Sequence, residues 1–344
     1  MTHVGIVGAG TIGLTIAWRC AQRGMSVDVH DPAPGSGAST VAAGMLAPVG
    51  EAHYGERDLL ELSLTSCALW PRFAAELGVD IGYRENGSLL VALDAGDRAE
   101  LDRRHDFHRE LGLPATRLTA GETRRREPLL SPRISGGLHA GGDHQVDPRR
   151  LHTALLDAAV TAGARLVRRH VADPSTVDAD VVVIAAGSHS GPMLSAAIRP
   201  VQGQVLRLRG PADLGTVVRA TVNGNPVYAL PRADGEVVIG ATSAERGFDL
   251  TPRAGDAYEL LRDAIAVIPE LAEYELREHT VGLRPGTLDN APLLGRTGDP
   301  RVIAATGHYR NGILLAPVTG ELISELIATG RTPEALEPFD PRRF

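Results

Sequence analysis

Three glycines set the tightest constraint on this chain. Gly8-x-Gly10-x-x-Gly13 lies between an apolar run, "HVGIVGAG", and a helical one, "TIGLTIAWRCAQRG", which stops at Gly24. The next segment, "MSVDVHD", alternates like a strand and ends on Asp31, 18 residues after Gly13. Strand, glycine turn, helix, strand and terminal acid together form a dinucleotide-binding unit. Gly8 makes the tight turn, Gly10 lets backbone approach a diphosphate, and Gly13 lets the helix close on the strand. The anion sits at the helix N-terminus, where free N–H groups and the dipole favour negative charge. Asp31 is placed to accept from ribose hydroxyls. An ordinary tight turn needs only part of this pattern.

The unit does not by itself choose between dinucleotides, but later segments narrow the choice. After Asp31, "GASTVAAGML" offers the Ser39 and Thr40 hydroxyls and then small residues that let a cofactor press on backbone. A second buried strand, "DADVVVIAAG", ends at Gly187, and a third apolar strand leads into "GHYRNGILLAP" near the C-terminus. A nucleotide domain built from three separated pieces is the habit of long flavin enzymes. At 344 residues the chain exceeds a single core and divides into two domains. A helix is expected at Pro148, with Asp147 as N-cap and proline in the first turn. Another is expected from about Gly312 to Thr329.

Composition excludes several chemistries. All 35 basic residues are arginine. A chain without lysine has no Schiff-base lysine, P-loop lysine or lysine general base. The net charge of −7 argues against a nucleic-acid partner. No apolar run reaches the roughly 18 residues of a membrane span, and no basic, apolar leader precedes the first strand. Cys20 and Cys67 lie in helical segments and fit a reducing cytoplasm. His139, Asp143 and His144 lack a clean further ligand for a metal. "GSHSG" at 187–191 carries His189 where a nucleophile elbow needs serine.

Four stretches, "ASTVAAGMLAP", "DHQVDPRRL", "VGLRPGTLDNAPLLG" and "GHYRNGILLAPVTGELI", resemble the D-amino-acid-oxidase-type flavoproteins. More narrowly, they resemble the glycine oxidases of thiamine biosynthesis, over nearly the full length. The resemblance implies an α/β fold: a glutathione-reductase-type Rossmann FAD-binding domain with a second, α+β substrate domain on an antiparallel sheet. The expected FAD domain comprises 1–80, 142–198 and 282–344, and the substrate domain 81–141 and 199–281. Non-covalent FAD is the implied cofactor. Its expected contacts are Gly8, Gly10, Thr11, Ile12, Gly13, Asp31, Ala38, Ser39, Thr40, Ala43, Gly44, Met45, Val171, Gly187, His308, Tyr309, Arg310, Asn311, Gly312, Ile313 and Leu314. The ribose acid is commonly glutamate in relatives and is the shorter Asp31 here.

The implied reaction is oxidation of glycine, or a similar small amino acid, to an imine that hydrolyses to glyoxylate and ammonia. Oxygen is reduced to peroxide. Expected substrate contacts are Met45, Tyr228, Arg284 and Arg310, the last three counted as catalytic. A planar guanidinium at Arg284 holds a carboxylate through two parallel bonds. Tyr228 is equally readable as a half-buried strand residue, and Arg310 and Asn311 as a solvent-facing side chain and a helix cap. The implied partners are O2, a thiazole synthase receiving the imine, and further copies of the chain in a dimer or tetramer. Alternatives within the fold are a sarcosine, D-amino-acid or D-proline oxidase or dehydrogenase; outside it, a non-catalytic nucleotide sensor.

Overall fold

The structure, a computed structural model, describes residues 1–211 and 214–344. Two sheets organise them. The first has six strands in the order Leu293–Arg296, Val302–Thr306, Val181–Ile184, His3–Val7, Ser26–His30 and Arg165–Val167. All its pairings are parallel except the edge pair Leu293–Arg296 with Val302–Thr306. Strands of this kind are buried on both faces and read as continuous apolar runs. Val302, Ile303, Ala304 and Ala305 are all buried, as are Val182, Val183 and Ile184.

Helix Thr11–Gln22 follows the glycine turn and packs on helix Ala316–Thr329. A Cβ at Gly13 would sit 1.9 Å from the Gly8 carbonyl oxygen, so glycine is required for this approach of helix to turn. Helix Pro148–Thr161 starts as its sequence predicts: Asp147 accepts from the N–H groups of Arg149 and Arg150, at 2.9 and 3.2 Å.

The C-terminal helix differs from expectation. It runs Ala316–Thr329, not from Gly312. Residues 312–315 form a turn closed by Leu315 N donating to Asn311 O at 2.8 Å. Pro317 lies in the first turn of the helix, where its missing N–H costs nothing.

The second sheet has eight strands: Glu275–Gly286, Arg199–Arg209, Glu236–Gly240, Asn225–Pro231, Val217–Val222, Ser88–Ala92, Gly136–Ala140 and Ala115–Thr119. It is antiparallel except where Val217–Val222 pairs with Ser88–Ala92. Glu275–Gly286 is unbroken through residue 282. The chain therefore passes from this sheet toward the C-terminal strands of the first without a separate linker. One face of the sheet carries helix Ala254–Val267 over an apolar core of Leu206, Leu208, Ile239 and Leu260. The other face looks toward the glycine turn.

Candidate active site

A cavity of about 1290 Å³ runs from the glycine turn to that second face. It exceeds the roughly 300–1,000 Å³ of a small-ligand pocket and suits a dinucleotide with a substrate beside it. Nineteen of the expected cofactor contacts line it, all but Gly13 and Thr40. Gly13 serves packing. Thr40 turns its hydroxyl back to donate to Gly35 O at 2.7 Å. Arg284 and Tyr228 line the same cavity.

At the nucleotide end, Asp31 accepts from Ala9 N at 2.7 Å and Ala33 N at 2.8 Å. The carboxylate fixes the turn, and lone pairs remain for the expected ribose hydroxyls. Ser39 accepts from Thr11 N at 3.0 Å. Ile12 N has no acceptor among the described residues.

At the other end, the N–H groups of Gly312, Ile313 and Leu314 also lack acceptors among the described residues, and all three residues line the cavity. Electron-rich oxygens or nitrogens of a bound flavin would satisfy such donors. Buried Trp70 Nε1 and Ser66 Oγ hold the turn from behind, donating to Leu314 O at 3.0 and 2.6 Å. The residues present therefore fit FAD. Tyr309 N donates to Pro285 O at 3.1 Å, tying the turn to the Arg284 segment.

The second sheet presents a row of side chains on one face. Register pairs Arg284 with Val201, Val205 with Gly240, Gly240 with Tyr228, and Tyr228 with Arg219. Two glycines make room between them. A Cβ at Gly203 would meet the Arg284 guanidinium at 2.4–2.6 Å, and one at Gly240 would meet the Tyr228 oxygen at 2.1 Å. Arg284 thus lies over one strand and Tyr228 over the next, leaning into the same trough. Arg284 Nη1 donates to Thr242 O at 3.1 Å, which orients the fork. Burial pushes the Tyr228 phenol up to about 12, so it remains a hydrogen-bond donor at neutral pH.

Arg310 does not extend freely into the cavity. Its Nη2 donates to His53 Nε2 at 2.9 Å and lies 3.6 Å from Glu51. Because a guanidinium only donates, His53 accepts with that nitrogen. Burial first, then Arg310, lowers the His53 pKa. Glu51 also pairs with Arg219. Burial pushes its carboxyl up, but Arg219, Arg310, His53 and Arg104 outweigh that and bring it to about 2.

Sequence reasoning missed Glu51, His53, Arg104 and Arg219, which all line the cavity. One signal was available: Arg219 lies nine residues before Tyr228, at a register reachable across a tight hairpin. Asp143, considered only for metal, accepts from Val49 N at 3.0 Å, from Gly50 N at 3.1 Å and from Ser88. It positions the turn that carries Glu51.

The fold and cavity define a dinucleotide-dependent oxidoreductase. The chain belongs to the DAO family, FAD dependent oxidoreductases, matched over residues 3–326. It is therefore an FAD enzyme, of the amino-acid oxidase class. It is 36% identical to the glycine oxidase of Geobacillus kaustophilus, over 100% of this chain and 98% of that protein. The crystal structure of the Geobacillus kaustophilus glycine oxidase superposes with a TM-score of 0.93, covering 100% of both chains. Similarity also extends to the bifunctional protein ThiO/ThiG of a Synechocystis strain, 32% identical over 98% of this chain but 53% of that protein. No helix among the described residues is long and apolar enough to cross a membrane.

Proposed function

We propose that this enzyme oxidises glycine, or a similarly small amino acid, to the imine, with water releasing glyoxylate and ammonia and O2 taken to H2O2. One observation carries the reading: Arg284 and Tyr228 share a glycine-floored trough in the cavity that holds the dinucleotide turn. The full-length similarity to glycine oxidases supports it. The ThiO/ThiG relative supports a thiazole synthase as recipient of the imine.

FAD, when bound, supplies the two-electron acceptor for the substrate's Cα–H bond. Arg284 grips the carboxylate through its fork, and the Tyr228 hydroxyl donates to the same group. Two fixed points orient Cα and make the transfer effectively intramolecular. The amine reacts as the neutral species, so no side chain need remove a proton from carbon. His189, stacked on Phe248 with ring centroids 4.8 Å apart, lines the cavity, as does Leu250.

The test is a panel of glycine, sarcosine, D-alanine and D-proline mixed anaerobically with the yellow holoenzyme. Bleaching by glycine or sarcosine, with stoichiometric peroxide on admitting air, is expected. Bleaching without peroxide would make the enzyme a dehydrogenase, and bleaching by none would overturn the reading.

A further inference from the structure

Beyond Tyr228 the trough continues past what glycine requires. Arg219 stands directly across from Tyr228 in the pair of strands, on the same face. Its Nη2 pairs with Glu51, its Nη1 is buried against Gly50 without a hydrogen-bond partner among the described residues, and the side chain lines the cavity. Arg104, on helix Ala95–Glu110, lines the same end of the cavity and makes no hydrogen bond or ion pair among the described residues. Arg310 closes the group. These three guanidinium groups converge on a single carboxylate, Glu51, whose Oε2 also lacks a hydrogen bond.

The other acids nearby are Glu56, which faces Arg310, Glu100, which faces Arg104, Asp143, which faces Arg219, and Asp97. Glu100 is exposed and paired with Arg103, and Asp97 accepts from Leu93 N at 3.1 Å at the helix start. Asp143 is held by Ser88 and the turn at 49–50. Arg219 and Arg310 are paired, whereas Arg104 has no hydrogen bond or ion pair among the described residues, and a half-buried cation is costly unless something anionic meets it.

We infer that the substrate pocket carries a second anion subsite, formed by Arg219 with Arg104, and that the preferred substrates are small amino acids bearing a second carboxylate. This rests on Arg284 and Tyr228 holding the first carboxylate. The span is consistent. The Arg284 guanidinium lies over Gly203, and Arg219 stands three strands further on and two residues along, about 16 Å at the usual strand spacing and rise. Charge-assisted bonds at each end take up part of that length. The remainder suits two carboxylates separated by three atoms, as in iminodiacetate or D-glutamate, with the second acid on the amine nitrogen or on the Cα side chain.

The experiment uses the holoenzyme and matched probes. First, glutarate and butyrate, which cannot be oxidised, are titrated against the flavin absorbance. Glutarate is expected to bind at least tenfold tighter than butyrate. Arg104→Met, which breaks no bond in the fold, should cut that ratio at least threefold. Arg219→Gln should cut it further in protein that retains FAD. Second, kcat/KM is compared within two pairs, iminodiacetate with sarcosine and D-glutamate with D-alanine. The pair showing the diacid preference identifies where the second acid is attached.

Equal affinity for glutarate and butyrate, or a ratio unmoved by Arg104→Met, overturns the subsite even if glycine is oxidised. A glutarate preference that follows both arginines while no amino acid bleaches the flavin keeps the subsite and overturns the oxidase reading instead.

Discussion

The carboxylate of Asp31 reaches back from the end of its strand to the glycine turn, where Oδ2 accepts the N–H of Ala9 at 2.7 Å. One side chain thus joins two tasks. It pins the glycine turn at the start of the helix, and it lines the cavity where a ribose would lie.

Asp31→Ala should therefore weaken FAD retention through both routes, by roughly 1.5–3 kcal/mol for loss of bonds to a charged acceptor. Asp31→Asn, which still accepts through its carbonyl oxygen, should fall between. Flavin-to-protein ratios after dialysis measure this. An alanine variant that keeps its flavin like the parent would reduce Asp31 to a loop anchor.

Neither cysteine lines the cavity, and burial pushes Cys20 up to about 12 and Cys67 up to about 11. Native holoenzyme should resist iodoacetamide at pH 8, with both thiols reacting after denaturation. Acid precipitation should leave all flavin in the supernatant. Flavin in the pellet would mean a covalent link through some other residue.

Glu51 joins Arg219, both mostly buried, and the more exposed Arg310 in one cluster. Glu51→Gln leaves those cations facing each other and should cost about 3 kcal/mol at pH 7. The pH dependence has a definite sign. Glu51 titrates at about 2 in the fold against about 4.3 in the unfolded chain, so its contribution is present above about 4.3 and is lost as pH falls toward 2. Denaturant midpoints for parent and variant should stay apart by a nearly constant amount from pH 7 to about 5 and converge only as pH falls from about 4 toward 2. A gap that stays constant down to about pH 2 would exclude ionised Glu51 as the cause.

The sequence carried the nucleotide half of the site more fully than the substrate half, for a physical reason. Gly8, Gly13 and Asp31 act through contacts within one local strand–turn–helix unit, so their spacing is itself the signal. Pro148 and Asp147 announce a helix start in the same local way. The stretch from Gly312 reads as helix because it is a run of apolar residues, whereas regular helix begins only at Ala316 and the Leu314 carbonyl is taken by the distant Ser66 and Trp70. Glu51, Arg104 and Arg219 lie 53 or more residues apart in sequence. They meet only because a helix, a turn held by Asp143 and a central strand converge on one end of the cavity. No local period encodes such a meeting.

Arg284 carries the most exposed claim, and its neighbour supplies a test that does not touch it. Arg284→Ala removes the fork and should lower kcat/KM for glycine by roughly 3 kcal/mol, over a hundredfold, with FAD content near that of the parent. Arg284→Lys keeps charge but not two parallel bonds and should fall between, with KM rising more than kcat falls. Gly203→Ala leaves Arg284 chemically intact, yet its new methyl would lie 2.4 Å from Arg284 Nη1. The guanidinium is the flexible end of a side chain, so it should shift while the strand stays in place. The expected result is a raised KM for glycine with normal flavin content and little change in thermal stability. Steady-state kinetics beside flavin ratios reads all three variants. If Gly203→Ala and Arg284→Ala both keep parental efficiency, the carboxylate is held elsewhere and the trough is structural.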